Sequence, residues 1–278
     1  MKSFIKWSGG KSRSLKIILD NIPSDFNNYY EPFIGGGIVF INIIKNNKKK
    51  KSYISDTNKY LINTFYHIKH SLKNLLKQYS EYVQSYNKSA NKQKFYLKKR
   101  DLFNKQDFKK TYKDAALFIF LVNAGFNGQW RMNSKGILNM GWGRKNKLNT
   151  LDLDHLTNIS KTLVNTNIEC DDYINVIKLV KKNDFIYLDP PYFPTNLQDS
   201  NFSNYTKDGW KFEDYLKFID FIYALEEKGV KIMISNNDVP FLKSIFKNFK
   251  IKKIDVFRSV GANSKSKKKI KEVLLTNY

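Results

Sequence analysis

The segment Asp189-Pro190-Pro191-Tyr192 combines groups that can hold a planar base carrying an exocyclic amine. It follows an apolar run that predicts a buried strand over 184–188, so it should lie at the carboxyl edge where open α/β sheets bind ligands. Two consecutive prolines cannot sit in a central strand, and they fix the backbone. The Asp189 carboxylate and the Pro190 carbonyl would accept the two amine protons, and Tyr192 would stack on the ring.

A second motif places three consecutive glycines, Gly35 to Gly37, where a predicted strand turns into a predicted helix. Glycine lets the backbone approach a ligand without a Cβ in the way. About 20 residues further on, Asp56 ends the next predicted strand, where dinucleotide-binding folds place a carboxylate for ribose hydroxyls. Because the pattern is neither GxGxxG nor a Walker motif, we expect the ligand to be a nucleoside without phosphates.

Alternating strands and helices must position these motifs. Strands are predicted over 29–34, 52–55, 167–170, 184–188, 230–235, 251–257 and 271–276, and helices over 15–19, 38–44 and 212–227. This alternation predicts a doubly wound, mainly parallel, Rossmann-like α/β sheet. Residues 57–162 instead show mostly helical spacing, followed by a Gly- and Asn-rich hairpin turn at 133–136. We therefore expect one domain over 1–56 and 163–278, with a mostly helical domain inserted over 57–162.

The charge balance restricts the class of partner. The chain has 49 Lys+Arg against 25 Asp+Glu, a net charge of +24, which favours a nucleic acid or an anionic membrane face. No apolar run approaches the roughly 20 residues of a spanning helix, and the first residues lack the apolar core of a signal peptide. Cys170 is the only cysteine, which excludes an internal disulfide and a cysteine-based zinc cluster. We expect a soluble, intracellular protein that binds nucleic acid and no membrane.

Together these motifs resemble the N6-adenine DNA methyltransferases of the alpha arrangement, the D12 class, and most closely their Dam-like branch. In that arrangement the cofactor motifs come first, a target-recognition region is inserted, and the catalytic motif follows. The resemblance covers nearly the whole chain. It is carried by Lys6-Trp7-Ser8-Gly9-Gly10-Lys11, Phe33 to Gly37, Phe126-Asn127-Gly128, Arg131-Met132-Asn133, Gly143-Arg144, Asp189 to Tyr192, and the segment from Arg258-Ser259 to Lys267-Lys268-Lys269.

The resemblance implies S-adenosyl-L-methionine as the methyl donor, adenine N6 in double-stranded DNA as the acceptor, and no metal. Carried over by position, the cofactor contacts would be Trp7, Lys11, Phe33, Gly35, Gly37, Asp56 and Asp189, with Asp171 as a further candidate. His67, His70 and His155 would be surface or packing residues.

The catalytic residues implied by the resemblance are Asp189, Pro190, Pro191 and Tyr192. Adenine's amine is a poor nucleophile because its lone pair is delocalised into the ring. Holding both protons favours a pyramidal nitrogen and exposes that lone pair, so that orientation and electrostatics supply most of the catalysis. The base must leave the duplex to be reached, and stacking on Tyr192 would offset part of the cost.

DNA contacts are implied for Lys6, Phe126, Asn127, Gln129, Arg131 and Arg144. Lys6 and Arg131 would contact guanines, although a phosphate contact or a role in solubility stays open for Arg131. Phe126 would enter the base stack or belong to the hairpin core. Arg144 and the lysine cluster at 265–271 would meet phosphates, and the run at 48–51 is a solvated loop or a further basic patch.

The target site is expected to be GATC or a related short sequence. Relatives that methylate GATC carry a small apolar pair touching a thymine methyl, where this chain has Gln129 and Gly141. Glutamine can form a bidentate hydrogen bond with adenine, so these two positions put the exact site in question.

Other functions stay open from the sequence alone. Related Pro-Pro-Tyr enzymes methylate cytosine N4, RNA adenine or protein glutamine amides, although those branches more often carry Ser or Asn before Pro-Pro-Tyr. An inactive, DNA-binding scaffold is a further alternative. A cognate restriction endonuclease is a possible partner. We expect a cytoplasmic location, in a bacterium or in the host cell of a virus or phage.

Overall fold

The computed structural model describes residues 1–193, 210–259 and 267–278, and for 256–259 and 267–270 it describes the backbone alone. Helices in these ranges are α1 (Leu15–Leu19), α2 (Ile38–Asn46), α3 (Lys59–His70), α4 (Leu72–Lys88), α5 (Lys92–Lys105), α6 (Tyr112–Ala124), α7 (Leu153–Thr162), α8 (Phe212–Glu227) and α9 (Pro240–Ile245). The strands are β1 (Tyr29–Glu31), β2 (Ser52–Ser55), β3 (Thr166–Glu169), β4 (Phe185–Leu188), β5 (Lys231–Asn237), β6 (Lys250–Ser259) and β7 (Lys267–Thr276). Single 3-10 segments occupy Phe126–Gly128 and Tyr173–Lys178.

Within the described ranges, seven strands form one sheet in the order β3-β2-β1-β4-β5-β7-β6. β1 is parallel to both β2 and β4, and β4 is parallel to β5. β7 runs antiparallel to both β5 and β6. The predicted mainly parallel α/β sheet of the Rossmann-like class is thereby confirmed. The strand order reverses between β1 and β4, and open α/β sheets bind their ligands at such a switch point.

The described chain forms two compact units. Unit 1 contains Met1–Ser12, Gly35–Lys48 and Asp56–Cys170, and unit 2 contains Arg13–Ile34, Lys49–Ser55 and Asp171–Tyr278. The domain limits expected from the sequence, 1–56 with 163–278 and the insert 57–162, stay a prediction.

Unit 2 is built around strands that are buried along their whole length. Every residue of β1, β2 and β4 is buried, as expected for parallel strands that are covered on both faces. Of the three, β4 is apolar throughout, whereas β1 and β2 also bury Glu31, Ser52 and Ser55. α8 covers this core with Phe218, Ile222 and Leu225. β1 is shorter than the predicted 29–34 because Pro32 has no N–H to donate to a ladder.

Unit 1 is mostly helical, as predicted for residues 57–162, which hold α3 to α7. Its centre is α6, in which residues 114–122 are all buried, so this helix is apolar on every side. Side-chain caps fix where the helices begin. Asn58 accepts hydrogen bonds from the N–H groups of Tyr60 and Leu61, and Thr111 and Asp114 form a capping box.

No helix in the part of the chain described here is long and apolar enough to cross a membrane.

Candidate active site and nucleic-acid interface

The Asp189-Pro190-Pro191-Tyr192 loop begins directly where β4 ends at Leu188. Asp189 and Tyr192 are half-buried, whereas Pro190 and the following Phe193 are buried. The loop is therefore anchored at both ends, while the carboxylate and the phenol ring remain partly accessible to a ligand.

Beneath this loop, β4 carries a tyrosine that stays neutral. Burial, followed by the nearby charge of Asp189, raises the pKa of Tyr187 well above its ordinary value. Its hydroxyl lies 2.8 Å from the Ser235 Oγ on β5, and both groups are buried. This pair ties the two strands together without placing a second charge beside Asp189.

Phe33, one of the predicted cofactor residues, belongs to an aromatic cluster of unit 2. Its ring stacks on that of Tyr173 at 5.1 Å and lies 6.0 Å from that of Trp210. Burial, with smaller effects of Asp172 and Asp214, raises the pKa of Tyr173 to about 12, so its hydroxyl is neutral at physiological pH. The cluster offers flat apolar faces.

Asp171 has a local structural role in this unit. Its Oδ1 accepts hydrogen bonds from the backbone N–H of Asp172 at 2.8 Å and from the Asn175 side chain at 2.7 Å. Asp172 in turn caps the 3-10 segment through the N–H of Ile174. A contact of Asp171 with a cofactor stays a prediction.

In unit 1 the glycine motif lies against Trp7. Gly35 has φ +47°, and a Cβ on it would be 3.0 Å from Cδ1 of the Trp7 indole. Gly37, at φ +68°, is the N-cap of α2. Glycine is needed at 35 both for the left-handed backbone and for the close approach of the indole.

The Asp56 carboxylate organises the same loop. It accepts hydrogen bonds from the N–H of Gly35 at 3.2 Å and from the N–H of Asn58 at 2.9 Å. Burial raises the pKa of Asp56, while these two hydrogen bonds act in the opposite direction. The structure thus brings together Trp7, Gly35 and Asp56, three of the predicted cofactor residues.

Two further contacts complete this region. The Lys11 ammonium, on a side chain that is buried, donates to the Gly9 carbonyl at 2.9 Å. Ser3 donates from its hydroxyl to the Gly36 carbonyl at 2.5 Å, which fixes the glycine loop from the opposite side of the motif. The sequence reasoning did not identify Ser3, because no local pattern links it to residues more than thirty positions away.

The candidate base-reading residues lie on an exposed hairpin of unit 1. Met132 and Leu138 form an antiparallel bridge, and Gly136, at φ +72°, lies in the turn between them. Phe126, Asn127, Gln129, Arg131 and Arg144 are all exposed, Phe126 by 46%. A large apolar ring so exposed on a basic hairpin is suited to contact another molecule.

A polar stripe on α5 holds the return strand of this hairpin. Tyr96 and Arg100 donate hydrogen bonds to the Met140 carbonyl, at 2.9 and 3.2 Å. Asn104 donates to the Leu138 carbonyl at 3.0 Å and accepts from the Leu138 N–H at 2.9 Å. Residues four apart share one helix face, so these three side chains form a row.

Trp130 anchors the hairpin from within. Its ring packs on Phe118 at 4.6 Å, on Phe103 at 5.3 Å and on Tyr60 at 5.8 Å. Gln129 and Arg131, its neighbours in sequence, are exposed. The hairpin therefore presents alternate side chains outward from a backbone that is fixed by packing.

Lys6 lies beside this hairpin. A Cβ on Gly128 would be 3.2 Å from the Lys6 Cβ and 3.3 Å from its Cδ, and Gly128 has φ +65°. Lys6 is exposed. The pKa of Lys145 is lowered mainly by its own burial and then by the nearby charge of Lys6. The structure thus places Lys6 next to Gly128, and a shared DNA-reading role of Lys6 and the hairpin stays a prediction.

The remaining predicted residues have simpler settings. His67 is buried, with its Nε2 3.0 Å from the Lys110 carbonyl, in agreement with a packing role. The side chains of Arg258 and of Lys267 to Lys269, and most of the lysine cluster at 265–271, lie outside the described residues.

The mainly parallel sheet has its switch point between β1 and β4, and the acidic Pro-Pro-Tyr loop follows β4 directly, at the edge where open α/β sheets bind ligands. The family described as D12 class N6 adenine-specific DNA methyltransferase matches residues 7–260. The chain belongs to this family and is an adenine-specific DNA methyltransferase.

Individual relatives agree along the full length. The chain is 33% identical over 282 residues to the type II methyltransferase M1.LlaDCHI of Lactococcus lactis subsp. cremoris, with 100% of this chain and 96% of the relative covered. It is 34% identical over 288 residues to the type II methyltransferase M.MjaIII of Methanocaldococcus jannaschii, covering 100% and 99%. The DNA adenine methylase of Escherichia coli K12 is 29% identical over 279 residues, covering 98% and 94%.

Proposed function

We propose that the enzyme transfers the methyl group of S-adenosyl-L-methionine to N6 of an adenine flipped out of double-stranded DNA, at GATC or a related short site. The observation that carries this proposal is the position of the Asp189-to-Tyr192 loop. It follows β4, which is parallel to β1 and lies beside it at the point where the strand order reverses. A ligand bound there meets the chain ends of both strands.

The residues present fit the methyl donor. Gly35 offers backbone without a Cβ beside the Trp7 indole. The two oxygens of Asp56 have about four acceptor positions, of which the Gly35 and Asn58 N–H groups use two, leaving capacity for ribose hydroxyls. S-adenosyl-L-methionine, when bound, supplies an activated methyl group on a sulfonium centre. We assign its contacts to Trp7, Lys11, Phe33, Gly35, Gly37, Asp56, Asp171 and Asp189.

We assign the acceptor side to Asp189, Pro190, Pro191 and Tyr192. The Asp189 carboxylate and the Pro190 carbonyl accept hydrogen bonds from the two N6–H groups. The nitrogen lone pair is thereby directed outward. Tyr192, half-buried, stacks on the adenine ring. Base-on-aromatic stacking stabilises by about 1–3 kcal/mol, which is comparable with the few kcal/mol that removing a base from the duplex costs.

The exposed hairpin supplies the DNA contacts in this proposal. Lys6 and Arg131 read guanines, Phe126 fills the space in the base stack, and Arg144 meets a phosphate. Apart from its chain neighbours, no described atom lies within 4 Å of the position that a Cβ on Gly141 would take, so a base edge could approach the backbone there. Gln129 and Gly141 are the two residues that would set a DNA target sequence other than GATC.

A cognate endonuclease is a proposed partner. This proposal is supported by two relatives that are named type II methyltransferases. We propose that this chain acts with such an endonuclease.

Single-base mapping of N6-methyladenine in plasmid DNA, incubated with the protein and S-adenosyl-L-methionine, tests the proposal. We expect methylation at GATC or one related short motif. Asp189→Ala should abolish it and leave duplex binding intact, while Asp220→Ala, which removes an exposed carboxylate on α8, should behave as the parent. Turnover by Asp189→Ala would contradict the proposed chemistry, and methylation of RNA alone would contradict the proposed acceptor.

A further inference from the structure

The end of β5 extends beyond the strand it pairs with. β4 pairs with β5 as far as Leu188 opposite Ile234. β4 then gives way to Asp189 and two prolines, which have no N–H to donate, whereas β5 continues to Asn237. Side chains at the end of β5 are therefore placed to bond the departing loop where the backbone ladder stops.

Two asparagines at this end form hydrogen bonds with the backbone of Phe193, the residue that follows the Pro-Pro-Tyr motif. Asn236 Oδ1 accepts a hydrogen bond from the backbone N–H of Phe193 at 3.0 Å. Asn237 Nδ2 donates to the carbonyl of the same residue at 2.6 Å. Both backbone groups of Phe193 are thus held by side chains of β5, as a neighbouring strand would hold them.

A tyrosine on α8 adds a third bond one residue earlier. The Tyr215 hydroxyl donates to the Tyr192 carbonyl at 3.0 Å. Its ring packs on that of Phe193 with centroids 4.4 Å apart, and both rings are 1% exposed. The Pro-Pro-Tyr loop is therefore held on one side by Leu188 of β4 and on the other by Phe193 in the core.

Asn236 lowers the stability of the fold, because one of its side-chain groups is buried without a hydrogen bond to any described residue. It is fully buried, and its Nδ2 has no hydrogen-bond partner in the described parts of the chain. An unsatisfied buried donor is destabilising, and an apolar side chain at this position would avoid it. Its Oδ1 accepts hydrogen bonds from the N–H of Phe193 in the loop and from the N–H of Asn237, each at 3.0 Å, and an apolar residue could replace neither.

We infer that Asn236, Asn237 and Tyr215 are positioning residues that fix Tyr192 and, through the rigid prolines, the Asp189 carboxylate for methyl transfer. This inference rests on the proposed catalytic role of the Asp189-to-Tyr192 loop. None of the three needs to touch the adenine. Their effect is on geometry, and an error of about 1 Å in a reacting group can reduce the rate 100-fold.

The test compares Tyr215→Phe, Asn237→Ala and Asn236→Ala with the control Tyr30→Phe. Tyr215→Phe removes the hydroxyl and keeps the ring that packs on Phe193. Tyr30→Phe removes another buried phenol hydroxyl of unit 2, one that donates to the Leu179 carbonyl. Single-turnover rates, kcat, and KM for S-adenosyl-L-methionine and for duplex DNA are measured for each, together with thermal unfolding.

We expect kcat to fall about 10- to 100-fold in the three variants, with both KM values within about twofold of the parent, because the lost interaction acts in the transition state. Tyr30→Phe should keep the parent kcat.

Parent kcat in both Tyr215→Phe and Asn237→Ala would overturn the inference, as would an equal loss of kcat in Tyr30→Phe. Asp189→Ala, assayed beside them, separates this from failure of the proposed function. If Asp189→Ala turns over, the catalytic assignment of the loop is wrong. If Asp189→Ala is inactive while Tyr215→Phe and Asn237→Ala match the parent, only the positioning role is wrong.

Discussion

Replacing Gly35 by alanine tests whether the glycine loop is built for a ligand or only for a turn. Two costs follow from the structure. An alanine at φ +47° is in the left-handed region, which costs about 1–2 kcal/mol. Its Cβ would also lie 3.0 Å from Trp7 Cδ1 and 3.4 Å from Nε1, so the indole must move.

The second cost determines the functional effect. Because the Gly35 N–H donates to the Asp56 carboxylate, a shift of the loop weakens a hydrogen bond to a charged group, which is typically worth about 1.5–3 kcal/mol. Trp7, Gly35 and Asp56 are all proposed cofactor contacts. A loss of about 1.4 kcal/mol from their combined binding raises the Kd for S-adenosyl-L-methionine about tenfold.

Gly229→Ala is the matched control. Gly229 also has a positive φ, +69°, and its Cβ would meet only the flexible Lys182 side chain, at 3.1 Å. Both variants should lose similar stability in urea unfolding from the backbone alone, with a further loss in Gly35→Ala. Equilibrium dialysis with labelled S-adenosyl-L-methionine then separates them. A Gly35→Ala enzyme that binds the methyl donor as tightly as Gly229→Ala would refute the reasoning.

Two further predictions concern base reading and pH. Arg131→Ala should reduce discrimination at one base pair of the target by about 1–3 kcal/mol in competition binding, whereas Arg144→Ala should weaken all duplexes alike; uniform weakening by both would make Arg131 a phosphate contact. Burial raises the pKa of Asp56 in the folded protein. The protonated carboxyl therefore adds to the free energy of unfolding below the ordinary carboxyl pKa. This contribution is lost as the pH rises through the folded-state pKa. The stability of Asp56→Asn relative to the parent should therefore increase from about pH 4 to about pH 7 in thermal unfolding, and a difference that does not change with pH would contradict it.

The sequence predicted the elements better than the contacts between them. β2 and α8 have the predicted limits, because an apolar run with polar ends and a helical apolar face are local patterns. The glycine loop and the Pro-Pro-Tyr loop were found because glycine and proline restrict the backbone on their own. β3 begins one residue before the predicted strand, at Thr166, where the last turn after α7 leads directly into it.

The residues that support the candidate site were not predicted. Asn236 and Asn237 follow a predicted strand, and a polar pair at the end of a buried strand is a signal that could have been recognised. Their partner, Phe193, is more than forty residues away, and only the pairing of β4 with β5 brings them together. The same is true of Trp130, whose aromatic partners come from three separate helices.

The hairpin must satisfy two opposing requirements, and the structure shows how it does so. Side chains that read bases have to be exposed, and exposed residues contribute little packing to hold their own backbone. Here Trp130 and the α5 row of Tyr96, Arg100 and Asn104 hold the backbone of both hairpin strands from the protein side. In the proposed function, Gln129 and Arg131 could therefore change with the target sequence at little cost to the fold. The proposed specificity would then be adjustable at the outward positions because the inward ones are fixed.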